Sequence, residues 1–74
     1  MKNYRFPVVV EKDKDGYFAL CPQLQGCYAQ GNTYEEALAN IKDAIELHVA
    51  ELIEEKEGIP ASNDVSLSMV EVAV

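Results

Sequence analysis

The first residues to weigh are two thiols and a run of carboxylates. Cys21 and Cys27 stand six positions apart in the stretch CPQLQGCYAQGNTYEEA, separated by a proline, two glutamines and a glycine. A zinc centre wants four ligands at short paired spacings, and the chain adds to these thiols a single histidine, His48. A redox pair more typically reads C-x-x-C, and a stable disulfide is disfavoured in a reducing cytosol. The pair therefore reads as two buried free thiols flanking a loop. Glu11, Asp13 and Asp15 are close in sequence, but they fall in or beside a turn, where charge means solvent rather than the convergent carboxylates of a metal-dependent nuclease. Gly26 and Gly31 match neither phosphate-loop spacing, so they read as a turn residue and a hinge before a helix. No serine has a visible base and orienter. We expect no catalytic residue, no cofactor and no metal, hence no enzyme.

The balance of charge points to a different kind of work. Thirteen acidic residues against six basic ones give a net charge of −7, a poor match to a nucleic-acid surface, which needs clustered Lys and Arg. A basic protein partner fits better. Most of the negative field sits between Glu35 and Glu57, where eight carboxylates face only Lys42 and Lys56.

Elements that could position these groups follow from periodicity. In YRFPVVVEK, Tyr4, Phe6, Val8 and Val10 alternate with Arg5, Pro7, Val9 and Glu11, which predicts a first strand. Pro7 lacks a donor, so either this is an edge strand or Pro7 turns its missing donor outward. DKDG supplies turn chemistry, with Gly16 able to take a positive φ. A second strand then returns through YFALC, Pro22 to Gly26 form a short loop, and CYAQG makes a third strand.

The clearest boundary is at Thr33. Thr33-Tyr34-Glu35-Glu36 fits a capping box in which the Thr33 hydroxyl accepts from the Glu36 N–H and the Glu36 carboxylate reaches back to the Thr33 N–H. Tyr34, Ala37, Leu38, Ile41, Ala44, Ile45, His48 and Leu52 then recur on one helical face, and Gly58 with Pro60 closes the segment. About 23 residues would make a helix roughly 34 Å long. After the connector ASND, VSLSMVEVAV predicts a last strand. Its apolar phase runs through Val65, Leu67 and Met69 and then jumps to Val70, Val72 and Val74, which calls for a bulge or for a tail covered on its other face by a partner. The order β-β-β-α-β defines an α+β domain with one long helix on a sheet.

Within the helix, Glu36, Asp43 and Glu54 fall on one side, away from the Leu38–Ile41–Ile45 face, and form the candidate partner-binding surface. Glu54, Glu55 and Glu57 also crowd the C-terminal end, where the helix dipole prefers cations by about 0.3–1 kcal/mol each.

Taken in order, Gly16, Tyr17, Ala19, Pro22, Leu24, Gly26, Cys27, Gly31, Thr33, Glu35, Glu36 and Ala37 resemble the signature of the HicB family of antitoxins, over roughly residues 4 to 60. The resemblance implies a partial ribonuclease H-like fold of three antiparallel strands, a helix and a further strand. It also implies that the chain binds and neutralises a small basic HicA-type toxin, an mRNA-cleaving protein. Gln23, Gln25 and Asn32 depart from the family pattern. Many family members also carry a C-terminal operator-binding domain, for which a single domain spanning residues 1–74 leaves no room, so autoregulation and direct DNA or RNA binding are not carried over.

Seventy-four residues sit near the size at which a lone core gives only about 3–5 kcal/mol of net stability. A homodimer or higher oligomer is therefore expected. No apolar run approaches the ~18 residues that span a bilayer, and the chain reads as cytoplasmic, without a membrane partner. The alternative to an antitoxin is an orphan self-associating module that serves a different protein or small-ligand partner.

Overall fold

A computed structural model describes residues 4–59 and 66–74. Three strands, β1 (Val9–Asp13), β2 (Gly16–Leu20) and β3 (Tyr28–Gly31), form an antiparallel sheet in the order β1-β2-β3, and one helix, α1 (Tyr34–Glu54), follows. Val10 stands opposite Ala19, and Ala19 opposite Ala29. With side chains alternating between the two faces of a strand, this register puts Val8, Val10, Tyr17, Ala19 and Ala29 on the face that packs beneath the helix. Phe18 and Tyr28 lie on the other face, where their rings stack at 5.8 Å.

Strand β1 begins later than the alternation predicts. Its pairing with β2 starts at Val9↔Leu20, and Tyr4–Val8 has no strand pairing. The cause is the length of β2: beyond Leu20 the chain turns off into the Cys21–Cys27 loop, so nothing stands opposite the residues before Val9. Phe6 and Val8 keep the expected inward phase and pack on the core, while Pro7 lies outside the paired region.

The core itself is compact in sequence. Ala19, Cys21, Leu24, Cys27, Ala37 and Ile41 are its buried members, all drawn from the β2–loop–β3–α1 stretch. The loop closes on itself through Cys21 N–H donating to the Cys27 carbonyl at 3.0 Å, Leu24 N–H to Cys21 at 3.2 Å and Cys27 N–H to Leu24 at 3.2 Å. Those bonds satisfy backbone groups that burial would otherwise leave unpaired. Gly31 lets α1 come down onto the sheet: a Cβ there would collide with the backbone N of Ala37, and would lie 2.8 Å from the carbonyl carbon of Glu36. It is a close-packing residue more than a hinge.

Both ends of α1 are fixed locally. Thr33 is the N-cap, and its Oγ1 accepts from Glu36 N–H at 3.0 Å. The return bond differs by one residue from the expected capping box, since Glu36 Oε1 accepts from Asn32 N–H at 3.2 Å. At the other end the helix stops earlier than Gly58 would place it. Lys56 takes φ +60, Lys56 N–H donates to the Ile53 carbonyl at 3.1 Å, and Glu57 N–H donates to Leu52 at 2.9 Å. This is a Schellman closure with a lysine in the left-handed position. The remaining closing residue named from the sequence, Pro60, lies outside the described residues, as do Val65 and the whole ASND connector.

Among the described residues the C-terminal strand is not formed. Residues 66–74 carry no strand pairing and are exposed throughout. A strand needs a partner edge, and residues 66–74 are paired with none.

Candidate functional site

Helix α1 presents two different flanks. On the solvent side Glu36, Asp43 and Glu54 are exposed and, spaced by 7 and 11 residues, share one face of a 3.6-residue helix. Asn40 and Leu47 stand between them. Asn40 fastens the helix to the sheet, its Nδ2 donating to the Gln30 carbonyl at 2.8 Å. Leu47 is 66% exposed. The structure therefore brings the three predicted carboxylates onto one accessible surface, with a chemical difference among them: Glu36 already uses one carboxylate oxygen at the helix start, whereas no ion pair engages Asp43 or Glu54 among the described residues. The ion pair present, Lys42 with Glu46 at 4.0 Å, is exposed and worth only a few tenths of a kcal/mol, about what an i,i+4 pair supplies. Both partners line the groove on the other flank, so the pair leaves the Asp43 and Glu54 carboxylates unneutralised.

The opposite flank is mainly apolar, with Glu35, Lys42 and Glu46 along it. Because α1 lies mainly over β3 and β2 and least over β1, its near side overhangs the sheet and opens a groove of about 880 Å³. Phe6 and Val8 form one wall, and Leu38, Ile45, Val49 and Ile53 the other. Sequence periodicity identified Leu38 and Ile45 as part of a core face but not that this face is wider than the sheet beneath it. Val49 and Ile53, which extend the stripe, were the available signal.

The residues first considered for catalysis are not assembled for it. Cys21 and Cys27 are buried free thiols, and burial, reinforced by the neighbouring Cys21, raises the Cys27 thiol above its ordinary value. Asp13, Asp15 and Glu36 line a small hollow of about 280 Å³ at the hairpin end, where Asp13 Oδ1 accepts from Asp15 N–H at 2.8 Å and so holds the turn. Among the described residues no three His, Cys, Asp or Glu side chains are grouped to hold a metal. His48 is half-buried on the inner side of the helix. No described helix is long and apolar enough to cross a membrane.

The described residues form an α+β fold, three antiparallel strands and one helix with an exposed acidic face. Comparison with known proteins gives the chain's family. Residues 6–72 match the HicB-like antitoxin of bacterial toxin–antitoxin systems, and the chain belongs to that family. It is 50% identical over 58 residues to the UPF0150 protein ssr1765 of Synechocystis sp., covering 77% of this chain and 73% of the relative. With the antitoxin HicB 2 of Photorhabdus laumondii it shares 34% identity over 71 residues, 96% of this chain and 51% of that longer protein. Among solved structures, a chain of the HicA3 and HicB3 toxin–antitoxin complex superposes with a TM-score of 0.65 at 25% identity, covering 81% of this chain and 70% of the other.

Proposed function

We propose that this chain is the inhibitory subunit of a toxin–antitoxin pair, which binds a small basic HicA-type mRNA-cleaving toxin and stops cleavage by occupying it. The observation that carries the reading is the match of fold and sequence to a chain of the HicA3 and HicB3 complex. Membership of the HicB-like antitoxin family supports it. The acidic face supplies a physical means. A toxin that grips RNA must present positive charge, and Glu36, Asp43 and Glu54 offer an opposite field that raises the encounter rate and orients approach. The chain acts by binding and has no catalytic task. Nucleic acid is not its partner, since a chain of net charge −7 repels phosphate. A cytoplasmic location is consistent with this role, because the toxin's substrate is there.

The test is stoichiometric inhibition. A HicA-type toxin encoded beside this chain should cleave a reporter RNA, and adding the chain should abolish cleavage at a fixed molar ratio while the two co-elute. Unaltered cleavage in the presence of folded chain would refute the proposal and favour the orphan module, for which the apolar groove offers the alternative binding surface.

A further inference from the structure

We propose that the outer face of the sheet seats an arginine side chain of the basic partner, laid flat against the Phe18–Tyr28 ring pair with its guanidinium paired to the Glu11 carboxylate. The proposal rests on the toxin reading and adds to it a short-range contact that holds the complex. Helix α1 covers the sheet face that carries Val10, Ala19 and Ala29, so the other face has no layer over it among the described elements. That face is nonetheless aromatic and apolar. Leu20 is 38% exposed and Tyr28 60%, and the Phe18 and Tyr28 rings stack at 5.8 Å with their planes inclined by 26°.

The register sets the three groups in one diagonal row. Glu11 stands directly opposite Phe18, and Tyr28 stands opposite Leu20, one diagonal step from Phe18 on the same face. Directly opposite residues on one face have Cβ atoms about 4.5–5.5 Å apart, and diagonal ones about 7–8 Å. A planar guanidinium on its long side chain can therefore reach from the ring pair to the carboxylate. Stacking on a ring and forked hydrogen bonding to a carboxylate are compatible, because one uses the plane of the cation and the other its rim. Glu11 is exposed, and among the described residues no ion pair engages it.

Charge selects the occupant. The paired residues of this face include two carboxylates, Glu11 and Asp13, and no lysine or arginine. Asp13 is partly engaged by the turn, where it accepts from Asp15 N–H at 2.8 Å, which leaves Glu11 as the free anion. The neighbouring Lys12 belongs to the opposite face, where its Nζ lies 5.9 Å from the centre of the Tyr17 ring. An exposed aromatic pair on a sheet is also a platform on which nucleic-acid bases stack. Here phosphate would meet carboxylates with no cation to neutralise it, so the observations favour a cationic protein side chain over RNA. Arginine fits better than lysine because its weakly hydrated plane stacks and forks at once. The carboxylates of α1 act over distance on association, whereas this seat acts on contact and slows dissociation.

Two measurements test the seat. The first uses the HicA-type toxin encoded beside this chain. Phe18→Leu/Tyr28→Leu keeps apolar bulk but removes both rings, and should raise the dissociation rate at least about fivefold while the association rate stays within about twofold. Glu11→Gln, at an exposed strand position, should raise dissociation at least about threefold. The second needs neither toxin nor substitution: hexaarginine and hexalysine are titrated into the unaltered chain and its NMR signals followed. Both peptides should perturb the carboxylate face of α1, but hexaarginine should shift Glu11, Phe18 and Tyr28 at least about threefold further than hexalysine does. Failure of the unaltered chain to inhibit the toxin would sink the toxin reading alone, and the peptide comparison would still decide the seat. A folded double-ring variant that leaves the toxin at the unaltered rate, or equal shifts of the three residues with both peptides, would overturn the proposal. So would an octauridine oligonucleotide that shifts Phe18 and Tyr28, which would assign the face to RNA.

Discussion

The two ends of helix α1 solve the same packing problem to different degrees. At its start the helix is capped by Thr33, seated on Gly31 and backed by Ala37 and Ile41, both essentially without exposed surface. At its end Ile53 is 60% exposed, no basic residue meets the last turn, and the chain leaves into a segment with no pairing. The first end completes its core from residues that are neighbours in sequence. The second has the apolar residues for a core but lacks the surface to close it. A small domain can therefore be well determined over half its length and leave apolar side chains exposed over the rest.

Substitutions should separate the two regions by size of effect. Ile41→Ala removes a fully buried side chain from the determined end and should lower unfolding free energy by about 3 kcal/mol in denaturant titration. At concentrations where the chain is monomeric, Val72→Ala should change it by less than about 0.5 kcal/mol. Comparable losses from both would erase the distinction.

A smaller effect, of opposite sign, is expected at Lys56. A non-glycine residue in the left-handed region carries a penalty of roughly 1–2 kcal/mol, and Lys56 takes that conformation. Lys56→Gly should stabilise the chain by up to about 1 kcal/mol, the gain reduced by loss of a cation near the negative end of the helix. Destabilisation would mean that the charge, set among Glu54, Glu55 and Glu57, outweighs the backbone strain.

The smallest effect is confined to alkaline pH. Burial, followed by the neighbouring Cys21, raises the Cys27 thiol above its ordinary value, so the folded state holds this proton to higher pH than the unfolded chain does. Its contribution is fully present below the ordinary thiol value and is lost as pH rises through the raised one. Alkylation of the native protein near pH 8 should accordingly be slow, and should accelerate on denaturation. Rapid native alkylation would show that the loop opens more readily than its backbone bonds imply.

These contrasts also account for what could be read from sequence. The Thr33 cap, the inward phase of Phe6, Val8 and Val10, and the burial of both cysteines are local or periodic properties, and the structure has them. The start of β1 was misplaced because pairing depends on where β2 ends, a property of another segment. The helix end fell at Lys56 rather than Gly58 because the closing hydrogen bonds to Leu52 and Ile53 outweigh the residue preference for glycine. The acidic face needed only a helix, so Glu36, Asp43 and Glu54 were legible together. The groove was not, since it arises from the offset of α1 toward β3. The expected last strand is absent among the described residues: 66–74 keep the apolar pattern without any strand pairing, because a pattern does not supply the edge a strand needs.

The central claim is that the acidic face of α1 guides a basic toxin to this chain, and the most direct measurement is the association rate with that toxin as a function of salt. Glu36, Asp43 and Glu54 replaced together by glutamine keep bulk and helix propensity while removing three charges, and glutamine can still accept the Asn32 N–H bond that Glu36 makes. If the acidic face steers the toxin, the folded variant associates more slowly at low ionic strength, with a shallower salt dependence than the unaltered chain. A folded variant that inhibits the toxin with unchanged rate and salt dependence would contradict it, and would move recognition from the helix to another surface.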